Sequence, residues 1–293
     1  VVNQDTHNFK NCPFCGGNIT YLTSDIRPVF PEERLLFELL LDRPLAFSKK
    51  SVWCRGSTYF VDGEKYKISN RVLSQVDAED IKKKLSYYND KNTYQHFNEF
   101  INKFILANEM YFKYIRFEAM NFICDISEKY SKMIKYISFS GGKDSTVMAD
   151  LVVKSLADPN IMHIFCNTTL EYPFTLDYIE RLKKTNSAMI IKVAQNREHD
   201  FYSMCDDIGV PIRMKRWCCT IFKTGVISKL LKRLFGDKKL IYFNGLRKSE
   251  SNTRSKYERV SISSEQKIQN QLSVSPIINW KDIDVWLYIL SEK

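Results

Sequence analysis

Several things are scarce in this 293-residue chain, and each absence narrows its function. No run approaches the roughly 18 to 20 continuous apolar residues of a membrane-spanning helix. The opening residues, VVNQDTHNFKN, contain no apolar signal-peptide core, and neither an internal repeat nor a low-complexity tract is present. A cytoplasmic globular protein with no membrane association is therefore expected. Histidine occurs four times, and His96, His163 and His199 share no ligand or triad spacing. Two phosphate-binding signatures, GxxxxGK[ST] and GxGxxG, are missing.

Acidic residues are locally scarce as well. From Arg213 to Arg259 there are 14 basic and 3 acidic residues, a local excess of +11 in a chain whose net charge is +10. Such a concentration favours an anionic ligand or nucleic acid, because a merely solvated surface mixes signs more evenly. Eight cysteines without a secretory signal favour thiol or metal chemistry over disulfides. With 44% hydrophobic and 13% aromatic residues, a sizeable core is available.

The chain divides by pattern near residue 91. Residues 1–91 read as a small zinc/β module with a linker helix. CPFCGG is a knuckle turn, SVWCRGSTYFVDGEKYKIS is a hairpin around Asp62-Gly63, and a polar helix opens at Asp77. Residues 92–293 read as the larger domain. Phe97, Phe100, Ile101, Phe104 and Ile105 make an amphipathic helix, and a second helical run covers about Tyr111 to Tyr130.

Strands then alternate with helices. The strands are Tyr136–Ser140, Ile161–Cys166, Ala188–Val193 and Leu240–Asn244. The helices are Ser145–Leu156, Pro173–Lys184, Phe201–Ile208 and Cys219–Phe235, with a last one opening at Asp282. The expected fold class is α/β, a doubly wound, mostly parallel sheet with its ligand at the carboxyl ends of the strands.

The string SFSGGKDST lies at one such strand-to-helix junction. Gly141 and Gly142 permit positive φ and close backbone approach, so several N–H groups can converge on an anion. The following helix adds its positive end. Lys143 supplies a cation; Ser140, Ser145 and Thr146 supply hydroxyls. A Gly-Gly turn with a Ser/Asp cap is the plain alternative, and the complete SGGKDS string in this context favours the cradle.

SGGKDS resembles the PP-loop of the N-type ATP pyrophosphatases and of the phosphoadenosine-phosphosulfate (PAPS) reductase family. NTTLEYPFTLDYIERL, KRWCCTIFK, FNGLRKSESNTR and SPIINWKDIDVWLYI resemble later segments of the reductase family, in its usual order, from about Lys135 onward. CPFCGG with SDIRPVFPEER resembles the zinc-ribbon extension of archaeal-type members.

The resemblance implies an adenine nucleotide α-hydrolase-like fold and an enzyme acting on ATP, with Mg²⁺, or on PAPS or its 3′-dephospho analogue APS. It implies that Ser140, Gly141, Gly142, Lys143, Asp144 and Ser145 hold phosphate. Asn167, Thr168 and Glu171 would lie by the nucleoside; for Glu171 a metal ligand, a ribose contact and a helix cap stay open. Arg247, Glu250 and Arg254, at i, i+3 and i+7, would clamp anionic oxygens from one helical face, with a solvated charged face as the alternative. Lys143, Asp144 and Cys219 are the catalytic candidates.

Cys218 and Cys219, among Arg213, Lys215, Arg216 and Lys223, would supply two ligands of a 4Fe–4S cluster or one structural and one redox-active thiol. No CxxC follows them, so the remaining ligands, like the family's usual nucleophile, are expected beyond Lys293. Cys12 and Cys15 form half of a Zn²⁺ site, with Cys54 and His7 as possible further ligands. Cys124, Cys166 and Cys205 fall in apolar periodic runs and are expected to be buried structural thiols. Three functions remain open: sulfonucleotide reduction; ATP-dependent sulfur transfer of the DNA-phosphorothioation type, with a nucleic-acid partner on residues 213–259 or a protein partner; and a non-catalytic nucleotide-sensing or DNA-binding subunit.

Overall fold

The computed structural model describes residues 25–262 and 271–292, together with residues 11, 16 and 17. Cys12 and Cys15, and with them the zinc half-site, lie outside the described residues. The chain forms two compact units, one of residues 1–114 with 281–293, the other of residues 115–280. Sequence pattern places a boundary near residue 91 instead.

In the first unit, strands β1 (Arg27–Pro28), β2 (Val52–Arg55), β3 (Thr58–Val61) and β4 (Glu64–Lys67) form an antiparallel meander in that order. The expected single hairpin is thus two. Asp62 and Gly63 both adopt positive φ, 49° and 95°, the backbone of a tight turn that matches strand twist. Helix α1 (Pro31–Leu40) starts with proline and carries Glu32 and Glu33 in its first turn, where the helix dipole favours them. Its Phe37 ring stacks on Tyr59 at 4.0 Å.

Helices α2 (Asn70–Ser74) and α3 (Ala78–Asn89) follow, and Asp77 caps α3 by accepting the Glu79 and Asp80 amides. The aromatic stripe of α4 (Gln95–Ala107) explains why the unit extends past residue 91. Phe97, Ile101 and Phe104 are buried, with Phe97 on Phe30 and Phe104 on Trp53. The last helix, α11 (Asp282–Ser291), belongs to this unit through Trp286 on Phe30 and Tyr288 on Phe112. Cys54 is fully buried in this unit's core and donates its S–H to the Gly56 carbonyl; burial pushes its thiol pKa up.

Helix α5 (Glu109–Lys129) leads into the second unit. There β5 (Ile134–Phe139), β6 (Met162–Asn167), β7 (Ile191–Gln195), β8 (Leu240–Phe243), β9 (Val260–Ile262) and β10 (Gln271–Val274) form one sheet in the order β7-β6-β5-β8-β10-β9. All neighbours are parallel except β9, which runs antiparallel to β10. The connecting helices are α6 (Lys143–Leu156), α7 (Pro173–Thr185), α8 (Phe201–Ile208), α9 (Trp217–Cys219) and α10 (Gly225–Phe235).

Period-two alternation sends Tyr136, Ile164, Ala194 and Leu240 to a cluster with Leu230 and Leu231 of α10. Val147, Met148, Leu151 and Val152 of α6 are buried, and α6 packs against β5 and β8. Each side chain buried this completely contributes roughly 1.5–3 kcal/mol. Among the described residues no helix is long and apolar enough to cross a membrane.

Candidate functional site

From β5 the chain moves outward to β6 and β7, then returns to lay down β8 and β10 on the other side. Strand order therefore switches between β5 and β8, where a crevice opens at the carboxyl ends of parallel strands. The loop that follows β5 is SGGKDS, and the loop that follows β8 is NGLRKSE.

Gly141 has φ +74°, and a Cβ there would meet Thr175 Cγ2 of α7 at 3.1 Å. Gly142 is the N-cap of α6 and makes no side-chain capping bond to its first turn. The serine hydroxyls turn inward. Ser145 donates to the Gly142 carbonyl at 2.9 Å and accepts from the Ser140 amide at 3.2 Å, while the Ser140 and Ser145 oxygens lie 3.0 Å apart. Ser140 and Ser145 thus shape the loop, and Gly142 donates its amide to Ser140 Oγ.

The Asp144 carboxylate stands between two cations. Lys143 Nζ is 3.1 Å from Oδ2, and Arg247 Nε is 2.7 Å from Oδ1. The second contact is an ion pair without the alignment of a hydrogen bond. Arg247 is 3% exposed. Beside it, Gly245 lies so close to α6 that a Cβ would stand 2.8 Å from the Asp144 carbonyl carbon and oxygen. Beneath, Asn244 donates to Ser273 Oγ at 3.0 Å and accepts from Ser275 at 2.7 Å and from the Leu246 amide at 3.2 Å.

Arg247, Glu250 and Arg254 are brought together, though by a different route from one helical face. Arg247 is extended, with φ −129° and ψ 139°, and the segment forms two short 3₁₀ turns, Lys248–Glu250 and Arg254–Lys256. Glu250 links the arginines by accepting the Arg247 amide at 3.0 Å and pairing with Arg254 Nη1. Sequence pattern misses Gly245 and Asn244; the signal was a glycine directly after a strand, whose close approach only the sheet order reveals.

Asn167, Thr168 and Glu171 lie together after β6, already bonded to one another's loop. Asn167 accepts the Thr169 amide at 2.9 Å, and Glu171 accepts the Thr168 hydroxyl at 2.7 Å. Glu171 therefore orders this loop from within, leaving one carboxylate oxygen not used by these bonds. Thr169, at φ +67°, accepts the Phe201 amide and ties the loop to α8.

The expected single helix from Cys219 to Phe235 is interrupted. Cys218 and Cys219 close α9, and a π-helical turn, Thr220–Thr224, precedes α10. A Cβ on Gly225 would stand 2.6 Å from the Thr220 carbonyl, so this wide turn depends on glycine. Cys166 of β6 donates its S–H to the Phe222 carbonyl at 3.1 Å, and Thr224 donates to the Cys219 carbonyl. Burial pushes the Cys166 thiol up to about 11. Trp217 stacks on Phe201 at 5.5 Å and packs near Phe222, anchoring the tandem cysteines.

Both tandem thiols are half-buried; of the three thiols expected to be buried, Cys124 is exposed and Cys166 and Cys205 are only half-buried. Among the described residues no group of three or more His, Cys, Asp or Glu converges as a metal site. Two thiolates fall short of the four that hold an iron–sulfur cluster.

At the start of α6, then, Gly142 supplies no side-chain cap, and Asp144 stands between Lys143 and the buried Arg247. A family model described as the phosphoadenosine phosphosulfate reductase domain matches residues 134–293. An uncharacterized protein of Methanocaldococcus jannaschii is 31% identical over 206 residues, 70% of this chain and 41% of that protein. The chain therefore spans about two fifths of that relative's length. An adenosine 5'-phosphosulfate reductase of Anoxybacillus flavithermus is 29% identical over 168 residues, 55% of this chain and 65% of that one. Among solved structures, phosphoadenylyl-sulfate reductase from Candida auris, as a phosphate complex, aligns with TM-score 0.45 and 14% identity, covering 60% of this chain and 79% of that one.

Proposed function

Since the chain belongs to the phosphoadenosine phosphosulfate reductase domain family, we propose that it is an enzyme that binds an adenine nucleotide at the loop after β5 and carries out sulfur chemistry on it. The observation that supports this most is the closure of the strand-switch crevice by Arg247 on Asp144, directly beside the uncapped start of α6. The α6 amides meet the phosphate or phosphosulfate oxygens. Lys143 moves from Asp144 onto the same oxygens. Asp144, held by Arg247, orients Lys143 and is no proton acceptor in this role. Glu250 positions Arg247 and Arg254 to meet further anionic oxygens. Mg²⁺, when ATP is the substrate, offsets the remaining triphosphate charge.

In the reductive reading a Cys219 thiolate attacks the sulfur of bound PAPS or APS. The S–O bond to the nucleotide breaks, the sulfonate passes to the thiol, and the nucleoside phosphate leaves. The second reading is ATP-dependent sulfur transfer to a nucleic-acid or protein acceptor, favoured by the basic stretch 213–259. The residues described do not complete an iron–sulfur site. Free thiols at all six described cysteines suit a reducing, cytoplasmic setting.

Calorimetric titration with ATP and Mg²⁺, and with PAPS and APS, tests the reading on wild type and Asp144→Ala. Binding of one nucleotide that is lost in the variant supports it; binding of none overturns it. Pyrophosphate release from ATP then selects sulfur transfer, and thiol-dependent sulfite release selects reduction.

A further inference from the structure

A second basic feature lies between β7 and α10. β7 is an edge strand of the sheet. Its carboxyl end and the loop to Glu198 face the π-helical turn and α10 across an open groove of about 580 Å³. Arg197 lies on one wall; Thr220, Gly225, Lys229 and Arg233 lie on the other; Glu198 is the one acidic residue of the lining. Lys229 and Arg233 are one helical turn apart on the same face, about 6 Å along the axis.

These cations differ from five lysines on other helices, though among the described residues Lys83, Lys103, Lys129 and Lys184 share their lack of a carboxylate partner. Lys82, Lys84, Lys113, Lys154 and Lys183 each pair with a carboxylate three or four residues earlier on their own helix. No acidic residue occurs between Trp217 and Phe235, so α10 offers its lysines no such partner. Among the described residues, Arg197, Lys229 and Arg233 make no ion pair within 4 Å. Like charges one turn apart destabilise a helix slightly, so stability does not account for them.

We propose that this groove binds the phosphodiester backbone of a nucleic-acid strand. The charge calls for more than a single phosphate. From Arg213 to Lys239 there are nine basic residues and one acidic one, and Arg213, Lys215, Arg216, Lys223, Lys232, Lys238 and Lys239 are all exposed and flank the groove residues in sequence. The groove is open, as a continuous strand requires and an enclosed mononucleotide does not. Tyr202, on the helix that follows the 196–198 wall, is 69% exposed and offers a face on which a base can stack. The inference deepens the second reading above, which gives residues 213–259 a nucleic-acid acceptor, and Arg197, Lys229 and Arg233 are not part of the β5–α6 loop.

Fluorescence anisotropy with labelled single-stranded RNA, single-stranded DNA and duplex DNA, over a range of salt, tests it. Wild type should bind at least one of them, and the preferred probe identifies the strand type. Arg197→Ala/Lys229→Ala/Arg233→Ala should weaken binding by about tenfold or more and flatten the plot of log affinity against log salt by about 2, near 0.7 per lost phosphate contact on a single strand. Arg233→Glu alone serves if the triple variant is poorly folded, and should weaken binding in the same direction. Lys65→Ala/Lys67→Ala/Lys83→Ala removes equal charge from the other unit and should leave affinity within about twofold. Three results would overturn the proposal: no binding of any probe, equal losses in the two triple variants, or competition by poly-glutamate as strong as by unlabelled nucleic acid. In the groove variants, ATP or PAPS titration should match wild type, so a failed nucleotide reading and a failed groove are told apart.

Discussion

Arg247 Nε sits 2.7 Å from Asp144 Oδ1, joining the loop after β8 to the first turn of α6. The arginine is almost wholly buried, and its guanidinium faces that carboxylate and donates to Ser249 Oγ. Asp144→Asn should therefore cost about 2–4 kcal/mol in urea unfolding, because it removes the carboxylate that stands beside a buried guanidinium. Asp144→Asn/Arg247→Met should recover part of that loss while still failing to bind nucleotide. Additive losses in the double variant would show that the two residues act separately.

Gly245 is the second test of the same crevice. Gly245→Ala places a methyl 2.8 Å from the Asp144 carbonyl, and the loops must separate to admit it. Expected are a loss of about 1–3 kcal/mol in stability and a nucleotide affinity reduced about tenfold or more, read by calorimetry. Unchanged affinity would mean that the site does not need the two loops in contact.

Much of this arrangement was legible in the sequence, and the rest was not for identifiable reasons. The Asp77 cap, the Pro173 helix start and α8 at Phe201–Ile208 follow from local rules, and the structure has them. The β5, β6 and β8 positions were also readable, because buried parallel strands give apolar runs between helices. The break at Thr220–Thr224 was hidden because a π turn keeps a helical apolar pattern and changes only backbone spacing. The grouping of Arg247, Glu250 and Arg254 was anticipated from spacing, yet it is made by two 3₁₀ turns and a shared carboxylate. The roles of Gly245 and Asn244 needed strand order, which no local pattern carries.

Thiol reactivity should follow burial. Cys166, with its thiol near 11, is about 0.1% thiolate at pH 8. Iodoacetamide labelling of the folded protein, read by mass spectrometry, should modify exposed Cys124 well before Cys166 and Cys54. Labelling of Cys166 should accelerate about tenfold per pH unit until pH nears 11. Early labelling of Cys166 would show that its bond to the Phe222 carbonyl opens readily.

His163 supplies a pH dependence. It is 1% exposed in β6, and burial lowers its pKa to about 4 from the ordinary 6.5. The unfolded chain then binds a proton that the folded one refuses, so stability falls as pH drops from about 6.5 to 4, by about 3 kcal/mol in full. Chemical denaturation at pH 7 and pH 5 should show this trend in wild type. His163→Leu should flatten it, and a pH slope unchanged in that variant would assign the effect to other groups.

The contribution of α11 to the first unit has a consequence for how the protein is made. Residues 115–280 form one continuous compact unit, whereas the other unit draws on chain from both sides of it. A ribosome delivers α1, the meander and α4 early, but Trp286 and Tyr288, which pack on Phe30 and Phe112, come only after residues 115–280. During synthesis the sheet-bearing unit has its full set of strands first. Until α11 emerges, Phe30 has Phe97 but lacks Trp286, and Phe112 lacks Tyr288, so the earlier-made unit completes its packing after the sheet-bearing one.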